Sequence, residues 1–169
     1  SFCAFYLIII LVEKVEKIII KTGIDAEDLE LEITETIVLH DIDEVSRQLT
    51  ELRDLGVRVS MDDFGVGYSS IGLLDRIPLD TIKLDRLFTL DILRPSKQAI
   101  IRAIFIMAET LELDVIAEGI ETEEQLEKFS ELGCYIVQGY YFYEPLPVER
   151  INDWLQENEE QLKKRWRHK

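Results

Sequence analysis

The spacing of hydrophobic positions changes repeatedly along the chain. In some segments apolar and polar residues alternate every second position, which is typical of strands whose successive side chains point to opposite faces. Between them, apolar residues recur every three or four positions, which is typical of amphipathic helices. Strands are predicted over residues 29–34, 57–61, 81–85, 115–118 and 135–138, and helices over 13–22, 42–55, 70–76, 96–113, 123–132 and 148–161.

The order of these elements indicates the fold class. Five strand–helix units in succession predict an α/β fold with a mostly parallel sheet and helical crossovers. The second predicted strand ends at Met61 and is followed by a turn at Asp62-Asp63. No linker or low-complexity segment interrupts the series, so we expect no internal domain boundary.

The charge distribution narrows the range of partners. The chain of 169 residues has 19 basic and 34 acidic residues, a net charge of −15. Binding of DNA or RNA through phosphates needs a basic face, so no nucleic-acid partner is expected. An acidic protein that binds a phosphate ester usually needs a metal ion to do so. Residues 159–169 contain a cluster of Lys and Arg and are interpreted as a solvated, unstructured basic tail.

Residues 1–12 form an atypical apolar start. The run is too short to span a bilayer, which takes about 20 residues, and it lacks the flanks of a signal peptide. It is interpreted as a buried strand or a damaged end, with a truncated transmembrane segment as an alternative. Membrane contact is expected only through a domain outside this chain. Cys3 and Cys134 have no metal-ligand spacing and form no disulfide framework, so the expected location is the cytoplasm.

Polar residues recur where the predicted strands end. An isolated Asp-Asp-x-Gly is more often a turn, because Asp and Gly favour turns for local backbone reasons. The repetition on several strands favours a site, because active sites of parallel sheets and (β/α) barrels lie at the carboxyl ends of the strands. A single mouth is predicted for Glu32, Asp62, Asp63, Lys83, Glu118 and Gln138.

The residue types in this mouth are suited to metal-dependent phosphoryl chemistry. Crowded carboxylates stay ionised only when positive charge lies between them, and hard oxygen ligands suit Mg²⁺ or Mn²⁺. Two such ions clamp a phosphoryl group and lower the pKa of a bridging water. Lys83 would orient that water, accept its proton if the lysine pKa is lowered, or neutralise charge developing on phosphorus. Taken singly, Lys83 is more often a salt-bridge partner and Glu118 the start of a loop.

Five motifs in order then match a known family. They are Glu32-Ile33-Thr34-Glu35, Asp62-Asp63-Phe64-Gly65-Val66-Gly67-Tyr68-Ser69-Ser70, Ile82-Lys83-Leu84-Asp85, Ala117-Glu118-Gly119-Ile120-Glu121 and Gln138-Gly139-Tyr140-Tyr141-Phe142. From about residue 11 to 156 the chain resembles the EAL-type cyclic di-GMP phosphodiesterases of bacterial signalling. The resemblance implies a modified (β/α)8 TIM-like barrel in which two Mg²⁺ or Mn²⁺ ions, with Ca²⁺ inhibitory, support hydrolysis of cyclic di-GMP to linear pGpG by direct attack of water.

The resemblance also implies roles for single residues. Lys83 resembles the water-activating residue, and Gln138 the glutamine that hydrogen-bonds near the metal-bound water. Glu35 resembles the residue that tethers the loop after Asp63, which supports the metals and the dimer interface. The implied metal ligands are Glu32, Asp62, Asp63 and Glu118, with Asp62 as the bridge.

The chain departs from the family at its beginning. The Glu-Ala-Leu tripeptide is absent, and the only asparagines are Asn152 and Asn158, so the metal-binding asparagine of the next strand is missing too. Val66 stands where threonine is usual. Since a barrel of this type needs roughly 250 residues, we expect a partial EAL domain over 13–158. Its open sheet edges are expected to pair with another copy as a homodimer or with a missing segment.

Three alternatives stay open. A catalytically inactive EAL fragment could still bind cyclic di-GMP or a protein, because loss of metal ligands leaves other surfaces intact. A decayed or shifted reading frame would explain the apolar start. An enolase-like site also places carboxylates and a Lys around Mg²⁺, although the Asp-Asp-Phe-Gly and Gln-Gly-Tyr-Tyr-Phe motifs argue against it.

Overall fold

The computed structural model describes residues 11–38, 41–66 and 71–166, without the side chains of 71 and 159–166. Expectations for residues 1–10 lie outside this part. The strands are Glu30–Thr34 (β1), Arg58–Phe64 (β2), Thr81–Leu84 (β3), Asp114–Ala117 (β4) and Ile136–Val137 (β5). The helices are Leu11–Thr22 (α1), Glu35–Val38 (α2), Ile42–Asp54 (α3), Arg86–Leu90 (α4), Pro95–Thr110 (α5), Glu123–Glu131 (α6) and Val148–Trp166 (α7). Short 3₁₀ helices cover Ala26–Asp28 and Ile71–Leu73.

The five strands form one sheet in the order β1-β2-β3-β4-β5, and each neighbouring pair is parallel. The prediction of an α/β fold with a parallel sheet is therefore confirmed. In the register of β1 and β2, Glu32 lies opposite Ser60 and Thr34 opposite Asp62. All carboxyl ends consequently meet at one edge of the sheet.

The apolar side of each strand packs under the helices, as its alternation predicts. Val59 and Met61 of β2 and Ile82 of β3 are fully buried in this layer. Leu52 of α3 and Phe129 of α6 pack into the same core from above the sheet. The alternate positions of the strands, which include Glu32, Asp62 and Lys83, face the other side of the sheet.

Two local signals explain where helices begin. Asp41 caps α3, because its Oδ1 accepts a hydrogen bond from Glu44 N at 3.3 Å. Thr122 and Gln125 form a reciprocal capping box at the start of α6. None of the helices in the described part is long and apolar enough to cross a membrane.

The predicted Asp-Asp turn is wrong, because β2 continues through both aspartates to Phe64. Phe64 is buried and pairs with Leu84 after a shift of register, which keeps the strand on the sheet. At this register shift the backbone of Asp63 has a φ of 54°, a left-handed conformation that residues other than glycine rarely adopt. The turn begins at Gly65.

Other element boundaries also differ from the prediction. The helices α2 and α4 were not predicted, and α4 begins because Asp85 accepts a hydrogen bond from Leu87 N at 2.8 Å. Of the helix predicted over 70–76, the described part holds the 3₁₀ turn Ile71–Leu73. Helix α7 continues to Trp166, past its predicted end at 161, so the prediction of an unstructured basic tail is wrong as far as Trp166.

Candidate active site

Lys83 lies at the centre of a cluster of carboxylates from three other strand ends. Its Nζ is 2.6 Å from Glu32 Oε1, 2.9 Å from Glu118 Oε1 and 3.2 Å from Asp62 Oδ1. Glu32 is on β1, Asp62 on β2, Lys83 on β3, and Glu118 directly follows β4. The structure therefore brings together four of the predicted site residues at the carboxyl edge of the sheet.

Lys83 is well shielded from solvent, with 9% of its side chain exposed. Burial alone would lower the pKa of its ammonium group, but the contacts with the carboxylates of Glu32, Glu118 and Asp62 outweigh that effect and raise the pKa above its usual value. In this arrangement the lysine is a fixed cation that offsets part of the negative charge of its three neighbours.

One carboxylate oxygen of Asp62, Oδ1, is buried beside Lys83 Nζ. Its Oδ1 is within ion-pair distance of Lys83 Nζ, yet among the described residues it accepts no hydrogen bond of acceptable geometry. A buried carboxylate oxygen without a hydrogen bond is costly unless a cation satisfies it. Lys83 Nζ, at 3.2 Å, is the cation beside this oxygen.

Glu118 is held by two neighbours at once. Besides its contact with Lys83, its Oε1 accepts a hydrogen bond from Gln138 Nε2 at 2.5 Å. Burial, together with the negative charges of Asp62 and Glu32, raises the pKa of Glu118 despite the opposing effect of Lys83. The predicted convergence of Gln138 with the carboxylates is therefore found in the structure.

Asp63 is placed differently from the other predicted ligands. Its side chain is exposed and, among the described residues, forms no ion pair with Lys83. Desolvation and the charges of Asp62 and Asp85 raise the pKa of Asp63. It lies next to the cluster rather than within it.

Glu35 supports the site from below the turn that follows β2. This buried residue accepts a hydrogen bond from the backbone N–H of Gly65 at 2.9 Å. Because Gly65 comes two residues after Asp63, the contact fixes the end of β2 to the start of α2. The structure thus places Glu35 where it can hold this turn.

Two residues of the site region were missed by sequence reasoning. Thr89 on α4 donates a hydrogen bond to the backbone carbonyl of Glu118, and Gln125 on α6 donates one to the carbonyl of Thr89. The only sequence signal for Thr89 is a hydroxyl within the apolar stretch Phe88-Thr89-Leu90. That signal is weak, since threonine is common in such positions.

A cleft of about 500 Å³ opens beside Glu118 and Gln138. Its other walls include Arg86, Tyr140 and Tyr143. A larger groove of about 650 Å³ lies at the opposite end of the sheet, where Asp114 begins β4, and it includes none of the clustered carboxylates. The smaller cleft is therefore the one connected with the candidate chemistry.

The donor set suits a hard divalent cation, since it consists of carboxylate oxygens and includes Asp62 Oδ1, which accepts no hydrogen bond among the described residues. Within the described ranges, however, no group of three or more Asp, Glu, His or Cys side chains has an arrangement that could hold a metal ion. The ammonium of Lys83 occupies the position between the carboxylates instead. A cation entering here would take over contacts that Lys83 now makes.

Comparison with known proteins identifies similar sequences and similar folds. Cyclic di-GMP phosphodiesterase NbdA of Pseudomonas aeruginosa is 45% identical over 148 residues, which are 86% of this chain and 19% of that protein. The EAL domain of Mycobacterium smegmatis DcpA has a TM-score of 0.82 at 36% identity, over 88% of this chain and 67% of that one. Klebsiella pneumoniae BlrP1, in a manganese and cyclic di-GMP complex, has a TM-score of 0.75 at 34% identity, over 79% of this chain and 34% of that one.

The chain spans about a fifth of the length of the curated relatives that it matches. It also covers only part of these solved structures, and its described residues form five parallel strands of one sheet. The family model for the EAL domain matches residues 10–145, which include every clustered carboxylate. This chain belongs to the EAL domain family.

Proposed function

We propose that this chain is the carboxyl-terminal part of a phosphodiesterase domain that hydrolyses cyclic di-GMP to linear pGpG, with the chemistry belonging to the complete barrel. The observation that carries the proposal is the convergence of Glu32, Asp62 and Glu118 on Lys83. A relative named as a cyclic di-GMP phosphodiesterase and a neighbour crystallised with cyclic di-GMP support the choice of substrate.

Two Mg²⁺ or Mn²⁺ ions would be held by Glu32, Asp62 and Glu118, with Asp63 contributing from the end of β2. The manganese complex of a structural neighbour supports a divalent metal, and Ca²⁺ is expected to inhibit. When bound, such ions polarise the phosphoryl group and make water a stronger nucleophile. The residues missing relative to the family pattern would come from the remainder of the barrel.

The chain's own residues have distinct tasks in this proposal. Lys83 keeps its ammonium beside the reacting phosphate, where it offsets negative charge and donates hydrogen bonds from Nζ; its raised pKa argues against a role as the base that accepts a proton from water. Gln138 orients the Glu118 carboxylate through its amide. Glu35 holds the turn at Gly65 and thereby the end of β2.

The proposal is tested by conversion of cyclic di-GMP to pGpG in the presence of Mn²⁺, followed by chromatography. Glu118→Gln should abolish the conversion while preserving the shape of the side chain. Asp114→Asn is the matched control, because Asp114 begins the same strand at the opposite end and pairs with Arg58. Absence of turnover by the isolated wild-type chain at micromolar concentration would contradict activity of this chain alone, and the two variants are then compared in the complete barrel, where equal turnover would contradict the proposal.

A second candidate function is a binding module without catalysis. The observation that favours it is that the Lys83 ammonium already contacts all three carboxylates, while the Glu-Ala-Leu motif is absent from the sequence. Calorimetric titration of cyclic di-GMP in the presence of Ca²⁺ distinguishes the two functions. Binding in this titration without turnover in Mn²⁺ would identify the module.

We also propose that the open edges of the sheet take a partner, either a second copy of the chain or the missing barrel segment. The edge strand β5 has only two residues, and Tyr140, Tyr141, Phe142 and Tyr143 are exposed just after it. Light scattering across a concentration series tests for the homodimer. The proposed location is the cytoplasm, in keeping with the free thiol of Cys134.

A further inference from the structure

Thr89 makes a buried contact with the backbone of the site. Its side chain belongs to α4, its exposure is 0%, and its Oγ1 donates a hydrogen bond to the carbonyl oxygen of Glu118 at 2.5 Å. On the other side of the same residue, the N–H of Glu118 donates to Leu84 O at 3.1 Å. The peptide groups before and after the Glu118 Cα are therefore both fixed.

Fixing both peptide groups also fixes the direction in which the Glu118 side chain leaves the backbone. Glu118 lies one residue beyond β4, so the sheet alone no longer restrains its carbonyl. The next residue, Gly119, has a φ of 70°, where the chain turns away. The hydroxyl of Thr89 thus supplies the restraint at the point where the sheet ends.

Gln125 secures Thr89 and the following segment together. Its Nε2 donates to Thr89 O at 3.4 Å, while its Oε1 accepts from the N–H groups of Glu121 and Thr122 at 2.8 and 3.1 Å. Helices α4 and α6 consequently hold the segment from Glu118 to Thr122 at both ends. The position of Thr89 is itself fixed by this network.

We propose that Thr89 is a positioning residue that, by holding the Glu118 carbonyl, directs the Glu118 carboxylate toward Lys83, Gln138 and a divalent cation bound beside them. The contact with a divalent cation rests on the proposed function. The effect of Thr89 on the direction of the Glu118 carboxylate concerns the metal-free protein. A residue that orients a metal ligand typically changes metal affinity by 10- to 100-fold when it is mutated. The contact acts through one hydroxyl group, which allows it to be removed without a change of shape.

Two sets of variants test the effect of removing the Thr89 hydroxyl. Thr89→Val keeps the branched shape and removes the donor. Thr89→Ala and Thr89→Ser form a second pair, which differs only in the hydroxyl and serves if the valine variant does not fold. Thr81→Val is the control, because Thr81 is also buried but its hydroxyl accepts from Arg58 at the other end of the sheet, at 3.3 Å.

Two measurements follow each variant. In the metal-free protein, NMR records the Glu118 carbonyl carbon and the Gln138 side-chain amide, which report the two contacts directly. Calorimetry then gives the affinity for Mn²⁺ alone. We expect Thr89→Val and Thr89→Ala to shift both resonances and to weaken Mn²⁺ binding about tenfold, whereas Thr89→Ser and Thr81→Val retain the wild-type resonances and affinity.

The outcomes separate this inference from the proposed function. Unchanged Gln138 resonances in folded Thr89→Val or Thr89→Ala protein would overturn the positioning role, as would an equal loss of affinity in Thr81→Val. If the wild-type chain binds no Mn²⁺, the proposed metal site of the isolated chain fails. The metal-free resonances then still decide the role of Thr89: a shift supports it and no shift refutes it.

Discussion

The Glu35 carboxylate accepts a hydrogen bond from Gly65 N at 2.9 Å, so that α2 is joined to the turn after β2. Glu35→Ala removes this charged acceptor and should lower the free energy of unfolding by about 1.5 to 3 kcal/mol. Urea denaturation measures the change. Glu35→Gln keeps an acceptor oxygen and should cost less. Equal stability of the alanine variant and the wild type would show that the contact contributes nothing.

Replacing Lys83 with Met should leave three carboxylates facing one another without their cation. Because the cluster is only partly buried, we expect a loss of about 2 to 4 kcal/mol in the free energy of unfolding. Added Mn²⁺ should restore part of it, since a divalent ion can replace the ammonium charge. Urea denaturation with and without Mn²⁺ provides both values.

The control for this variant is Lys17→Met, which removes an exposed ion pair with Glu13 within α1. A pair of this kind contributes little, so we expect a change below about 0.5 kcal/mol and no response to Mn²⁺. A similar loss in both lysine variants would mean that the position of Lys83 among the carboxylates has no special effect.

Asp80 ties β2 to the segment before β3, and its replacement should be more costly than that of a surface aspartate. Its Oδ2 accepts from Val59 N and its Oδ1 from Arg53, both at 2.8 Å. Asp80→Ala should therefore cost about 2 kcal/mol. Asp43→Ala breaks an ion pair with Arg76 on a side chain that is 89% exposed, and should cost about 0 to 0.5 kcal/mol. Thermal denaturation compares the two, and the reverse ranking would contradict the assignment.

Gly65 should not tolerate a side chain. Its φ is 92°, and an added Cβ would lie 2.3 Å from Phe88 Cε2. Gly65→Ala is expected to cost about 1 to 3 kcal/mol, because Phe88 or the turn has to move. At Gly72 an added Cβ meets no atom within 4 Å, so Gly72→Ala should be close to neutral. Chemical denaturation of both variants checks this, and similar values would argue against crowding at Gly65.

The sequence was sufficient to predict what depends on local periodicity. Alternation in each strand placed Glu32, Asp62 and Lys83 on the face away from the apolar core, and the structure confirms that they meet. Helix α4 was not predicted, because five residues are too few to show a helical period and only the capping Asp85 indicates its start.

Features that depend on tertiary contacts could not be predicted in this way. The continuation of β2 through Asp63 depends on Phe64 being buried beside Leu84, which overrides the turn preference of two aspartates. The alternation in each strand predicted the face of the sheet on which each side chain lies. It did not predict how the charged groups are arranged on that face. The central position of Lys83, and the exclusion of Asp63 from the cluster, follow from distances that only the folded sheet defines.

The strand order of the sheet is the same as the order of the strands in the sequence, so each strand pairs with the one synthesised just before it. Contacts of this kind have a small sequence separation for a parallel sheet, and each chain closure costs correspondingly little entropy. When each new strand leaves the ribosome, the strand that it pairs with has therefore already been synthesised. The carboxylates of the site would accumulate in the same sequence, with the cation of Lys83 arriving before the last of them, Glu118.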